Sequence, residues 1–230
     1  MLWWNRWEKI MFCSNCGKNL EDDANFCPKC GKKVVGNTPT PSDIKGSFTD
    51  PRDGRVYKTV KIGEQVWMAE NLAYDAPGSI VNDCDPDNFE KYGLLYGWKT
   101  ALNACPPGWH LPNDEEWDAL VDFVGGGKIA GKKLKAKSGW MSSEGKPGGG
   151  TDDFSFSALP GACGFSDGYC CNVGDYGYWW SAGHDGNKAC CRIMLSGRDI
   201  VGVDYHGKLD LCSVRCVQDY PQESNTAKLE

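Results

Sequence analysis

The sequence predicts an α+β protein preceded by a small metal-binding module. Three observations support this class: a strand pair near residue 60, two amphipathic helices in the middle of the chain, and short strand candidates separated by glycines towards the end. Of the 230 residues, 40% are hydrophobic and 24% are charged. Because this balance excludes a disordered chain and an integral membrane protein, we expect a globular protein with a sizeable core.

Charge and cysteine content narrow the function classes. The net charge of −6 gives no overall attraction to a phosphate backbone, so nucleic acid is not an expected partner. The 13 cysteines are too few for a disulfide scaffold in a chain of this length. No stretch approaches the roughly 20 apolar residues of a membrane span, and residues 1–10 do not form a secretory signal. We therefore expect a cytoplasmic protein.

The chain divides into five predicted segments. They are an extension or upstream start (1–10), a zinc ribbon (11–35), a polar linker (36–45), a large domain (46–220) and a tail (221–230). Met11 resembles a natural start residue, so residues 1–10 are treated as a segment separate from the zinc ribbon. The linker contains Pro39 and Pro41 and is expected to be semi-rigid.

Two C-x-x-C-G motifs predict a closed zinc site. Its ligands are Cys13 and Cys16 in the first motif and Cys27 and Cys30 in the second. Each turn directs two thiolates to one point, and four thiolates complete the tetrahedral coordination of a structural Zn²⁺. The segment resembles the short zinc ribbons of bacterial and archaeal protein N-termini. Two disulfides or a redox pair are the alternatives.

The large domain begins with a predicted β-hairpin and ends in short strands. Residues 55–62 alternate in polarity, Gly63 and Glu64 suit a two-residue turn, and residues 65–68 return. Five further strand candidates follow late in the chain: FSFSAL (154–159), YGYWWSA (176–182), CCRIML (190–195), DIVGVD (199–204) and CSVRCV (212–217).

Two helices are predicted between these strand regions. Apolar residues at helical spacing indicate a first helix from Leu94 to Cys105, which Pro106 stops. Asn113, followed three residues later by Glu116, predicts the N-terminus of a second helix through a capping box.

The framework of the large domain resembles the Fibrobacter succinogenes major paralogous domain family. The matching segments are TDPRDGRVYKTVKIGEQVWMAENL (49–72), EKYGLLYGWKTALNACPPGWHLPNDEEWDALVDFVGG (90–126), KKLKAKSGW (132–140), GTDDFSFSALPGA (150–162), YWWSA (178–182) and SVRCV (213–217). The resemblance implies a C-type-lectin-like fold with a hairpin, two helices, a loop-rich centre and a last strand that returns beside the first. It also implies a relation to formylglycine-generating enzymes and to the variable proteins of diversity-generating retroelements.

The same resemblance brings Cys105 and Cys216 together. Both lie in matching segments, so a lectin-like fold makes a disulfide between them geometrically plausible. A reducing cytoplasm would oppose its formation and leave two buried thiols.

Three segments near the end depart from the family pattern: residues 169–172, 188–192 and 201–212. Many of their residues are reachable from asparagine or tyrosine codons by changing adenines, which is typical of retroelement diversification; ordinary drift on exposed positions is the alternative. The candidate ligand-binding residues are Tyr169, Cys170, Cys171, His184, Asp185, Asn187, Cys190, Cys191, Arg192, Arg198, Asp199, Asp204, Tyr205 and His206. They mix aromatic, charged and amide groups, as antibody paratopes do.

Two other readings are less favoured. Asp83, Asp85, Asp87 and Asn88 place oxygen donors at alternate positions, but the glycine and glutamate of a calcium loop are missing, so a solvated acidic turn is expected. Copper at an adjacent cysteine pair, as in formylglycine-generating oxidases, is disfavoured because neighbouring strand residues point to opposite faces.

We therefore expect a non-catalytic protein that binds a protein or other macromolecular ligand through its C-terminal segments, with Zn²⁺ as its only cofactor. His110, in the framework segment GWHLP, is expected to be structural. A structural protein, in which the zinc ribbon recruits a partner and the large domain is an invariant assembly unit, is the alternative. No enzyme activity is expected.

Overall fold

A computed structural model describes residues 11–12, 19–20, 26–31, 45–81, 86–142, 145, 147–165, 170–171 and 173–220. The chain divides into two compact units, Met1–Pro41 and Ser42–Glu230. The α+β class is confirmed, because the second unit contains two sheets and, within its described residues, four helices. None of these helices is long and apolar enough to cross a membrane.

In the first unit, two short strands pair antiparallel. They are β1 (Met11–Phe12) and β2 (Asn19–Leu20), with Met11 opposite Leu20. In the second unit the elements follow in chain order: β3 (Lys45–Thr49), β4 (Val56–Ile62), β5 (Gln65–Met68), β6 (Ile80–Val81), α1 (Pro86–Tyr92), β7 (Leu94–Gly97), α2 (Trp98–Ala104), β8 (Trp109–His110), α3 (Asp114–Phe123), α4 (Gly127–Leu134), β9 (Cys163–Gly164), β10 (Cys170–Cys171), β11 (Tyr176–Asp185), β12 (Lys188–Leu195), β13 (Gly202–Gly207), β14 (Leu211–Ser213) and β15 (Val217–Gln218).

One sheet of the second unit has the order β3-β4-β5-β15-β8. The predicted hairpin is confirmed as β4 and β5, with Ile62 opposite Gln65 and Gly63 at φ 62° in the turn. Glycine suits this turn because it adopts positive φ without a steric penalty. The last strand, β15, pairs with β5 and β8 and so joins the two ends of the domain.

The other sheet runs β10-β9-β14-β11-β12-β13, and β7 and β6 continue from β14. Strands β11 and β12 form a long antiparallel hairpin, and β13 pairs with the far side of β12. Among the strands in the described residues, β13 is therefore the last of this sheet and forms its edge.

Two buried clusters hold these sheets. In one, the rings of Trp67 and Trp117 lie 4.8 Å apart, and Phe156 packs edge-on 5.8 Å from Trp67. The other contains Tyr96 and Trp180, and the indole N–H of Trp180 donates to the Tyr96 carbonyl at 2.6 Å. Burial of such rings supplies much of the hydrophobic stabilisation.

Several predicted elements are corrected. Leu94 and Leu95 lie on strand β7, so the first predicted helix is only Trp98–Ala104. Residues 154–159 form no strand, apart from a single bridge from Ala158 to Lys135. Helices α1 and α4 were missed, and the segment 212–217 is split between β14 and β15.

The acidic segment behaves differently from the expected turn. Asp87 and Asn88 lie in helix α1. Asp83 and Asp85 lie outside the described residues, so the calcium alternative is not decided by the structure.

Candidate functional site

Half of the predicted zinc site lies in the described residues. Cys27 is buried and Cys30 is exposed, and the Gly31 N–H donates to the Cys27 carbonyl at 2.9 Å, which closes a tight turn. Gly31 has φ 70°, as the motif requires. This turn and the thiol donors suit Zn²⁺. Cys13 and Cys16 lie outside the described residues.

The exposed candidate ligand-binding residues lie together at one end of the sheet that contains β11, β12 and β13. His184, Asp185 and Asn187 are exposed on the turn between β11 and β12. Asp204 and Tyr205 are exposed on opposite faces of β13, next to this turn, because Lys188 lies opposite Gly207 and Ala189 opposite His206. We call these five residues the β13 edge surface.

Aromatic contacts fix one side of the β13 edge surface. The ring of His184 packs edge-on against Trp98, with 5.1 Å between centroids, and the Lys208 ammonium lies 4.5 Å above the same indole. His206 is mostly buried and lies 5.0 Å from the ring of Tyr178. It supports the surface from beneath and is not freely exposed.

Three of the candidate residues are buried, which corrects their assignment to a binding surface. Arg192 is 4% exposed and forms ion pairs with Asp114 at 3.3 Å and Asp118 at 3.0 Å on α3. Cys190 and Cys191 are also buried. Strand β12 lies between β11 and β13, and α3 covers the face that carries Cys190 and Arg192. Cys191 packs beside Cys212 on the other face, so none of the three lies on an exposed surface.

The two cysteines face opposite sides of the strand. Burial is the main cause that raises the pKa of Cys190 to about 12, and a hydrogen bond with Asp114 adds to it. Cys191 instead lies beside Cys212, whose thiol pKa is also raised by burial. Two thiols on opposite faces of a strand are poor ligands for one metal ion.

The remaining candidates do not join the β13 edge surface. Arg198 and Asp199 are exposed on the connection between β12 and β13, at the other end of these strands. That connection packs on α4, where Lys132 N–H donates to the Asp199 carbonyl at 3.1 Å. Cys170 and Cys171 form β10, and Tyr169 lies outside the described residues.

Cys105 and Cys216 form a disulfide that spans 111 residues of sequence. It joins the end of α2 to the residue before β15, where two framework segments meet. Disulfides are rare in cytosolic proteins, so this bond is at odds with the expected location.

His110 lies between two carboxylates. Its Nε2 is 2.8 Å from Glu116 Oε1 and its Nδ1 is 2.6 Å from Asp219 Oδ1. The hydrogen bond to Glu116 raises the pKa of His110, burial opposes this shift, and Asp219 adds to it. Glu116 also completes the capping box with Asn113, so this cluster ties helix α3 to strand β8 and to Asp219, which follows β15.

The sequence did not predict a cleft that lies beside the sheet containing β3 and β4. The cleft has a volume of about 520 Å³, and its wall includes Arg215 from the framework segment SVRCV. Arginine is rarely fully buried without a charged partner. The position of Arg215 between apolar residues was the one sequence signal that could have indicated its burial.

Comparison with known proteins gives two matches. A family model described as the Fibrobacter succinogenes major domain matches residues 60–218. A second model, described as a zinc-ribbon domain, matches residues 12–34. No curated protein and no solved structure matches the chain.

Proposed function

We propose that this chain, which belongs to the Fibrobacter succinogenes major domain family, is a non-catalytic binding protein. It presents the β13 edge surface to a protein or other macromolecular ligand. The observation that carries the proposal is the grouping of five exposed residues, from the β11–β12 turn and from β13, at one sheet edge.

The chemistry of this surface suits recognition. Tyr205 is 48% exposed, and its neighbour Val203 on β13 is also exposed, so aromatic and apolar area adjoins charged and amide groups. Rigid aromatic side chains give contact area at low entropic cost, while polar ones adapt their hydrogen bonds. An edge strand also offers backbone groups to a partner.

The scaffold is proposed to be C-type-lectin-like, and its edge to be diversified by a retroelement. On this proposal, changes should concentrate at exposed positions and spare the buried Cys190, Cys191 and Arg192. Sequencing many copies of the gene tests this expectation. Variation spread evenly over buried and exposed codons, with no reverse transcriptase or adenine-biased repeat nearby, would overturn it.

Ligand binding is tested by photo-crosslinking in the producing cell. A photoreactive phenylalanine analogue at Tyr205 is expected to give a discrete adduct of higher mass. The matched control places the same analogue at Leu102, which is exposed on helix α2. Adducts of equal yield at both positions, or none at Tyr205, would contradict the proposed surface.

In the first unit, Zn²⁺ is proposed to be held by Cys13, Cys16, Cys27 and Cys30, in a structural role. So small a module gains its folding free energy from the metal. Metal analysis of the Cys13→Ser, Cys27→Ser double variant should show zinc lost, whereas Cys190→Ala should retain it. Undiminished zinc in the double variant would refute these ligands.

A further inference from the structure

The cleft beside the sheet that contains β3 and β4 is a second candidate binding site, and segments of the family framework form it. Its volume of about 520 Å³ lies in the usual range for small-molecule sites. Strands β3 and β4, residues 69–71, the end of α1, residues 152–159 and Arg215 line it. No residue of the β13 edge surface takes part, so this site goes beyond the proposed function. We call it the Arg215 cleft.

Arg215 is buried in this wall with neutral partners. It is 1% exposed, its Nε and Nη2 donate to Asn71 Oδ1 at 3.2 and 2.7 Å, and its Nη1 donates to the Phe156 carbonyl. Among the described residues it forms no salt bridge within 4.0 Å. Burial lowers the pKa of Arg215 to about 9, against the opposing effect of Glu70 and Asp152. A buried cation without a counter-charge costs free energy that an anion would recover.

The acidic residues of the cleft are engaged by other groups. Glu70 accepts the Lys58 backbone N–H at 2.8 Å and lies 3.4 Å from its ammonium. Glu90 pairs with Arg55 at 3.0 Å. The remaining acid, Asp152, holds its own loop by accepting from the backbone N–H and the hydroxyl of Ser157, both at 2.8 Å.

The cleft therefore has an excess of positive charge. Five basic and three acidic side chains line it, although the whole chain carries a net charge of −6. Lys45 and Lys91 line the wall in addition to the paired cations. A local charge opposite to that of the whole molecule is unusual for a merely solvated surface and attracts anions.

The loop that contacts Arg215 through the Phe156 carbonyl has a strained backbone. Asp152, Ser155 and Ser157 adopt φ values of 50°, 56° and 53°, in the left-handed region that disfavours residues other than glycine. All three residues line the cleft. Such strain costs free energy and clusters at ligand sites. Here it turns the Ser155 and Ser157 segment towards the cleft.

We propose that the Arg215 cleft binds a small anionic ligand through a carboxylate or phosphate group. The guanidinium of Arg215 supplies positive charge from the wall, the Ser155 hydroxyl supplies a hydrogen bond, and Lys58 attracts the anion from the rim. A carboxylate and a phosphate both carry the negative charge that would compensate this buried cation.

The test titrates the full chain with succinate and with inorganic phosphate by calorimetry, at an ionic strength held constant with chloride. We expect saturable binding of at least one of the two, with a Kd of about 1 mM or below. The anion that binds identifies the group that is recognised. If neither anion binds saturably, the proposal is overturned.

Two variants then locate the binding. Arg215→Gln, checked for folding by circular dichroism, should weaken binding by roughly tenfold or more. Lys58→Gln keeps the test decisive if Arg215→Gln does not fold, because the Lys58 side chain is 78% exposed and its loss cannot unfold the domain. We expect it to weaken binding by about threefold, as removal of one rim charge does.

The matched control is Lys99→Gln, which removes one exposed charge on α2, outside the cleft. It should leave the anion affinity unchanged. Equal weakening by Lys58→Gln and Lys99→Gln would reveal general charge attraction and overturn the site. Unchanged affinity in a folded Arg215→Gln variant would do the same.

Discussion

The Arg215 cleft and the β13 edge surface are both polar, but the fold builds them in different ways. In the cleft, buried side chains bond to one another: Asn71 accepts from Arg215 and from the indole of Trp179 at 2.9 Å. At the edge, exposed side chains project from a strand held by backbone pairing with β12. Stability and recognition are therefore coupled in the cleft and separable at the edge.

Loss of the Cys105–Cys216 disulfide should give the largest difference between the stability of the domain and binding at the β13 edge surface. The bond closes a loop of 111 residues and lies next to Arg215, so Cys105→Ser with Cys216→Ser should lower the free energy of unfolding by about 3–5 kcal/mol. Guanidinium denaturation measures this loss. Below the unfolding transition, crosslinking at Tyr205 should be unchanged. A loss under about 1 kcal/mol would show that the bond does not support the scaffold.

A pair of asparagine substitutions sharpens the same comparison. Asn71→Ala leaves Arg215 and the indole of Trp179 without their acceptor, and should cost about 2–4 kcal/mol. Asn187→Ala, on the exposed turn, should change stability by less than about 0.5 kcal/mol. Thermal and denaturant unfolding of both variants check the contrast. Similar losses in the two variants would remove the distinction between a coupled cleft and a separable edge.

Local signals explain which elements the sequence could predict. Gly63 in a two-residue turn and the Asn113–Glu116 capping box act over a few residues, and both are found as expected. Leu94 and Leu95 were misplaced because a short apolar run suits strand or helix equally. Their strand conformation comes from pairing with Ile80 and Val81, which are distant in sequence.

The candidate sites depend even more on distant partners. Arg192 was expected at the surface, because its partners Asp114 and Asp118 on α3 cannot be identified from the sequence. Arg215 was treated as framework, since the cleft that surrounds it is assembled from well-separated segments. The alternation in residues 154–159 favoured a strand, yet Asp152 bonds to Ser157 and holds the segment as a loop.

The smallest expected effect concerns His110, which lies in neither region and ties Glu116 on α3 to Asp219 after β15. Because its pKa is raised above the ordinary 6.5, its contribution to stability is complete below that pH and is lost as pH rises through the raised pKa. Burial raises the pKa of Glu116, but hydrogen bonds from His110 and the Asn113 N–H outweigh it and lower the value below 4.5. The Glu116 contribution is therefore lost only in more acidic solution.

His110→Gln should accordingly destabilise the protein more at about pH 6 than at about pH 9. The difference should remain under about 1 kcal/mol, because the imidazole is partly exposed and solvent screens both ion pairs. Melting temperatures of wild type and variant at the two pH values measure it, with His184→Gln as the exposed control. If the His110→Gln loss were the same at both pH values, the cluster would act through neutral hydrogen bonds, and its charge would contribute nothing to holding α3 against the segment that follows β15.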